Sequence, residues 1–278
     1  MSDSATSRRF RFAVVAVPSA DRDDWVAQAR QVEELGYDTL LVPDTAHAAA
    51  PLLAAAVAAA CTTSLRVGSY VLAPLRPPGI LAWEAQSLQV LTGDRFELGL
   101  GAGRPDAARD AAALGIGYAS PSDRIAQVAA TVSAVRARCG DRSPRILIAG
   151  SGSRLLALAG RVADTVALAL GPRDGKAELA HAISTVREAA GPRFDDLELS
   201  MNLLAVGDGE LPASARLPPG LDPAELMVAG SVSVLTGTPA EMAGTLSRRR
   251  DVHGVSYLAV SAGYAEIFAP VVERLAGS

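Results

Sequence analysis

The sequence predicts an α/β fold, a closed eight-stranded parallel (β/α)8 barrel ringed by helices, and three observations carry that prediction. Short apolar runs alternate with amphipathic segments about eight times along the chain, and strands separated by helices pair in parallel because each return needs a crossover. The chain has 278 residues, and eight such units in roughly 250 residues suit a barrel better than a doubly wound sheet. Hydrophobic residues make up 49% and aromatic residues 4%, an alanine-rich balance that packs helices closely and argues against disorder or a β-sandwich.

Each unit has its own signal. Residues 10–17 read as the first strand, and the helix over 23–35 starts from Asp21 as cap, with Trp25, Ala29 and Val32 on one face. A second strand over 39–42 leads to a helix over 51–61, a third over 65–72 to a helix over 80–91. The fourth strand, 95–100, ends in glycines. After a loop, Ile125, Val128, Val132 and Val135 step by three or four along a fourth helix. Strands over 145–148 and 165–170 precede helices over 155–162 and 177–189. A single seventh strand is expected over 197–206 and an irregular Pro- and Gly-rich stretch over 207–237, with a short helix near 224–228. A helix over 241–249 then enters the eighth strand, 255–260. The last helix carries Tyr264, Ile267, Phe268, Val271, Val272 and Leu275 at helical spacing. Residues 1–9 read as a flexible polar tail and 10–278 as one barrel domain.

Composition narrows the function. A net charge of -4 disfavours nucleic acid or an anionic membrane as the main partner. Lys176 is the only lysine, so Schiff-base chemistry has one candidate. Cys61 and Cys139 make no disulfide framework, and His47, His181 and His253 share no metal-ligand spacing. No Gly-x-Ser-x-Gly elbow occurs. The polar start lacks a signal-peptide pattern, and the alanine-rich stretch 48–61 is too short to span a bilayer. A cytoplasmic protein is expected.

In such a barrel, function sits where strands end and helices begin. The clearest of these positions is Ile148-Ala149-Gly150-Ser151-Gly152-Ser153-Arg154. Its glycines permit close backbone approach and its helix start favours an anion. A tight turn without ligand explains the same glycines about equally well. Leu155 stands where a dinucleotide fingerprint needs its third glycine. The small residues of Phe96-Glu97-Leu98-Gly99-Leu100-Gly101-Ala102-Gly103 leave room for a flat ligand, or simply ease strand packing.

These residues resemble the luciferase-like monooxygenase superfamily, specifically its deazaflavin (coenzyme F420) dependent oxidoreductase branch. The resemblance rests on Glu33-Glu34-Leu35-Gly36-Tyr37-Asp38 with Val42-Pro43-Asp44, Leu65-Arg66-Val67-Gly68-Ser69, the run from Thr92 to Gly103, the stretch 144–164, and Gly237-Thr238-Pro239-Ala240-Glu241 onward. It implies hydride transfer between coenzyme F420, or FMN in sister branches, and a small organic substrate. The cofactor's phosphate would lie on Gly150, Ser151, Gly152, Ser153 and Arg154, and its ring against Gly68, Ser69, Tyr70, Gly101 and Ala102. It also implies a bulge with a non-proline cis peptide near Gly68–Tyr70, and paired barrels, hence a homodimer.

Departures from the family pattern qualify the catalytic reading. Asp44-Thr45 stands for the usual Asp-His, Arg104 for an aromatic residue and Gln127 for a glutamate, and the segment before the fifth strand is short. Asp44 is the first catalytic candidate, with Thr45 and Tyr70 behind it. Loop capping explains Asp44 nearly as well, core filling explains Tyr70, and His47 reads first as a solvated loop histidine. Trp83 reads as core or subunit interface. A flavin monooxygenase and a non-catalytic scaffold barrel are the alternatives.

Overall fold

Eight parallel strands close into a barrel in the computed structural model, which describes residues 8–18, 21–104, 106–208 and 221–278. In chain order the strands are β1 (Arg11–Val15), β2 (Thr39–Pro43), β3 (Arg66–Leu72), β4 (Phe96–Gly101), β5 (Arg145–Gly150), β6 (Thr165–Leu168), β7 (Glu198–Leu203), β8 (Ala205–Val206), β9 (Val234–Leu235) and β10 (Val255–Ser261). The barrel runs β1-β10-β7-β6-β5-β4-β3-β2, while β8 and β9 pair with each other outside it. The helices are α1 (Arg22–Glu34), α2 (Pro51–Ala60), α3 (Pro78–Leu91), α4 (Ala107–Ala113), α5 (Pro121–Cys139), α6 (Ser153–Val162), α7 (Lys176–Ala190), α8 (Pro223–Val228), α9 (Pro239–His253) and α10 (Ala265–Leu275).

Local chemistry sets the helix ends. The Asp21 carboxylate accepts from the amides of Asp23 and Asp24 and opens α1. Thr238 and Glu241 form a reciprocal capping box on α9, which ends at Gly254 with φ of 74°. Along each strand, alternate side chains split between two cores. Val67, Val71, Leu98, Leu100, Ile146, Ile148 and Val166 face the helices. Ala13, Leu41, Leu147, Ala167, Tyr257 and Ala259 fill the bore, with Tyr70 packed against them.

Below that layer, at the N-terminal end of the bore, charge replaces apolar packing. Arg11 pairs with Glu97 and, at 2.9 Å, with Glu198; Arg66 reaches Glu97 at 2.7 Å and Arg145 reaches Glu198 at 3.2 Å. Thr165 adds a hydroxyl to Glu198 at 2.8 Å. Both carboxylates are almost fully buried, so the arginines are needed to keep their charge tolerable.

The structure departs from the sequence expectation in three places. The expected seventh strand breaks in two after Leu203, because Ala205–Val206 leaves the barrel to pair with Val234–Leu235. An apolar run reports burial, not the partner that buries it. The loop after β4 contains α4, whose Ala107 and Ala111 pack on Leu72 and Leu75. Finally, β3 pairs without a register shift to β2 and β4, and no cis peptide occurs among the described residues, so the expected bulge at Gly68–Tyr70 is absent. Regular pairing there is bought by glycine: a Cβ on Gly99 would lie 2.1 Å from the Ser69 carbonyl oxygen. Residues 1–7 of the expected tail, Ser19 and Ala20 of the first mouth loop, and 209–220 of the irregular stretch lie outside the described residues. Phe10, which follows that tail, is buried and stacked on Phe12 at 5.8 Å.

Candidate active site

At the C-terminal mouth of the barrel a cleft of about 390 Å³, one of about 620 Å³ and one of about 970 Å³ meet the strand ends. The middle-sized one lies over β2 to β7. Its floor and walls include Gly101, Ala102, Ala149, Gly150, Ala167 and Ala169, small residues that leave a broad, shallow space. That volume falls within the range of small-molecule sites.

Asp44 sits at its edge, buried, with both oxygens engaged. Oδ2 accepts from the Leu72 amide at 3.0 Å and forms a close ion pair with Arg76. The Asp44 amide in turn donates to the Tyr70 carbonyl at 3.1 Å. This carboxylate therefore ties the end of β2 to the turn after β3; it is committed to holding the wall and is not a free base. Gln127 stands where the resemblance expected a glutamate, and its amide donates to the carbonyls of Ala73 and Arg76 at 3.1 and 2.9 Å. The expected ion pair is replaced by a neutral clamp on the same turn.

Arg104 closes the rim. Its guanidinium donates to the Asp44 carbonyl at 3.1 Å, approaches Asp106 at 2.7 Å and pairs closely with buried Asp110. Asp110 also accepts from the Ala46 amide at 3.2 Å. All of these contacts lie within the wall, so Arg104 braces α4 against the loop after β2. Arg124 stacks 4.3 Å over the Tyr118 ring and donates to the Ala102 carbonyl at 2.8 Å.

Tyr70 projects into the bore beneath the cleft. Its hydroxyl is buried and has no hydrogen-bond partner among the described residues. Burial, reinforced by the Glu97 charge, raises its pKa, so the group is a neutral phenol with a donor to offer. On β7, Asn202 is exposed within a strand that is otherwise buried and lines the same cleft.

At the opposite edge the α6 N-terminus begins with Gly152 as cap and has no side chain bonded to its first turn. Ser151 and Gly152 line the cleft. A Cβ on Gly152 would meet nothing within 4 Å, whereas one on Gly150 would strike the Leu155 side chain at 2.5 Å. Gly150 is thus required by its own helix, and Gly152 leaves open space above bare amides, a favourable seat for an oxyanion.

Of the twelve residues expected at the site, Asp44, Tyr70, Gly101, Ala102, Gly150, Ser151 and Gly152 converge on this cleft. Thr45 lines the largest cleft, beside His47, Gln31 and Glu266, and Ser153 the smallest. Gly68 lies deeper, with a Cβ position 2.7 Å from Leu41. Ser69 is fully buried and alternates onto the helix-facing side of β3, away from the ring position assigned to it. Arg154 is exposed and lies outside the cleft lining. Sequence reasoning missed Arg76, Asp110 and Asn202, and marked Gln127 only as a departure from the family pattern. Only Asn202 had a signal: Glu198, Ser200 and Asn202 are polar at every second position of an apolar strand.

No grouping of three or more potential metal ligands occurs among the described residues, and no helix among them is long and apolar enough to cross a membrane. A family model described as luciferase-like monooxygenase matches residues 9–217. No curated protein matches significantly. Among solved structures, an F420-dependent secondary alcohol dehydrogenase in complex with an F420-acetone adduct is similar with a TM-score of 0.74 at 15% identity, covering 96% of this chain and 98% of that one. The coenzyme F420 dependent tetrahydromethanopterin reductase of Methanopyrus kandleri gives 0.72 at 14% identity, covering 96% and 98%. A riboflavin lyase with modified FMN and riboflavin gives 0.73 at 15% identity, covering 96% and 92%. At these identities the likeness is one of fold.

Proposed function

The chain belongs to the luciferase-like monooxygenase family, a family of oxidoreductases, and from that membership we propose that it binds coenzyme F420 in the cleft over β2 to β7 and exchanges hydride with a small organic substrate. The cleft fits such a group on its own terms. It combines a floor of small residues for a flat ring, a buried donor without a protein partner, and a helix start with bare amides for a phosphate. That last feature, above all the open space over Gly152, carries the reading. The deazaflavin supplies the hydride-carrying carbon when bound.

This chain's own residues bind and orient. Ser151, Gly152 and the first amides of α6 hold the phosphate, with Ser153 and Arg154 flanking. Gly101 and Ala102 bound the ring. Tyr70 offers its neutral hydroxyl from below, and Asn202 its carboxamide from the β7 wall. Asp44 acts as a positioning residue through Arg76 and Leu72, and Thr45 faces the neighbouring cleft, where substrate has room. We include in the same proposal a homodimer of these barrels.

Titration of the purified protein with coenzyme F420 and with FMN tests it, and Gly152→Asp sharpens the test. An aspartate there caps α6 and complements its dipole, adding about 0.5–1 kcal/mol of stability, while setting a negative charge where the phosphate belongs. The expected result is a variant that melts higher yet binds F420 at least tenfold more weakly. Preference for FMN with oxygen-consuming turnover assigns a flavin monooxygenase instead, and failure to bind either cofactor leaves a non-catalytic barrel.

A further inference from the structure

At the N-terminal end of the barrel, opposite the mouth, a cleft of about 390 Å³ lies between the last turns of α7 and α9. Arg8, Arg187 and Arg250 line it together with Asp195, Asp251 and His253. Two of the arginines are held flat: Arg250 lies 4.3 Å over the Phe10 ring and Arg187 lies 4.5 Å over Phe194. Stacking of this kind fixes the plane of a guanidinium and leaves its edge donors free for an oxyanion.

Arg250 is 14% exposed, and its Nε and Nη1 are enclosed by protein without a hydrogen-bond partner among the described residues, so an anion in the cleft meets them only after the guanidinium turns outward. The carboxylate in range, Asp251, is 60% exposed and stands 3.5 Å from Nε, outside hydrogen-bond geometry. A buried charge so weakly answered carries a desolvation penalty that a bound anion would offset. Burial first, and then the charges of Arg249 and Lys176, push the His253 pKa below its usual value. With His253 neutral, the three arginines and two aspartates leave the lining one charge positive.

A plainer account is that last-turn arginines complement the helix dipole. Such residues normally spend their donors on the free carbonyls of that turn. Among the described residues, neither Arg187 nor Arg250 has a carbonyl acceptor, whereas Arg8 gives one donor to the Asp195 carbonyl at 2.9 Å and so stays at the rim.

We propose that this cleft is an oxyanion site that takes a phosphate group, free or carried on a small metabolite, and that it acts independently of the mouth. Calorimetric titration with inorganic phosphate and with glycerol 3-phosphate, at constant ionic strength, tests it on the wild type, on Gly152→Asp, Arg187→Met and Arg250→Met, and on Gly152→Asp combined with each arginine substitution. The expected result is one phosphate bound by Gly152→Asp, weakened at least tenfold when either arginine substitution is added to it. Arg187 is exposed, so that variant folds even if the buried Arg250 substitution does not. Tighter binding of the ester points to a metabolite and tighter binding of the free ion to phosphate itself; either supports the site. Binding lost in Gly152→Asp but kept in Arg187→Met places the phosphate at the mouth and overturns the proposal. So does the absence of phosphate binding above the chloride control.

Discussion

Glu33, near the end of α1, accepts from the amides of Thr63, Ser64 and Leu65 and from both neighbouring hydroxyls, pinning the turn that launches β3. Burial alone would raise its pKa, but these donors win and lower it from 4.5 to about 2. The folded state therefore binds this proton less readily than the unfolded chain. Its contribution to stability is complete above pH 4.5 and is lost as pH falls toward 2. Urea denaturation at pH 5 and pH 3 should show this loss in the wild type and a smaller one in Glu33→Gln. The Asp44–Arg76 pair makes a different prediction. Arg76→Met strands a buried carboxylate and should cost about 3 kcal/mol. Asp44→Asn keeps an oxygen for the Leu72 amide and leaves Arg76 with 20% of its side chain exposed to water, against 7% for the stranded Asp44, so denaturation should find it the less costly of the two. The pairing itself was invisible in the sequence: nothing in Leu75-Arg76-Pro77 announces a partner 32 positions away.

Helices α2 and α3 present an unusual outer face. Leu53 and Val57 on α2, and Ile80, Trp83, Val90 and Leu91 on α3, are exposed, with Trp83 at 56% and Leu91 at 79%. The α2 sequence has no charged residue, and Glu84 is the one charge of α3. Together these side chains expose on the order of 600 Å² of apolar surface, close to the ~800 Å² each partner gives a stable interface. Trp83→Glu with Leu91→Glu should convert a dimer to a monomer in light scattering without lowering the melting temperature of the monomer. Helices with a clear stripe were legible from sequence, α10 above all. The seven-residue α4 was not, because Ala107–Ala113 is short and has no large apolar residue to mark a face. Nor was the break after β7, since hydrophobicity runs on while the pairing partner changes.

The barrel as such was legible because eight repeats of one period pattern admit few closures, and the glycines at the ends of β4 and β5 marked its working face. The chemistry of that face was legible only in outline. Whether a polar residue is free or already spent depends on neighbours from distant strands, as Asp44, Arg104 and Gln127 each demonstrate.

One consequence follows from the charged layer formed by Arg11, Glu97, Glu198 and their partners under Tyr70 and Tyr257. It stoppers the tube, so traffic has a single doorway. A ligand that reaches the Tyr70 hydroxyl therefore comes in from the mouth and leaves by the same side.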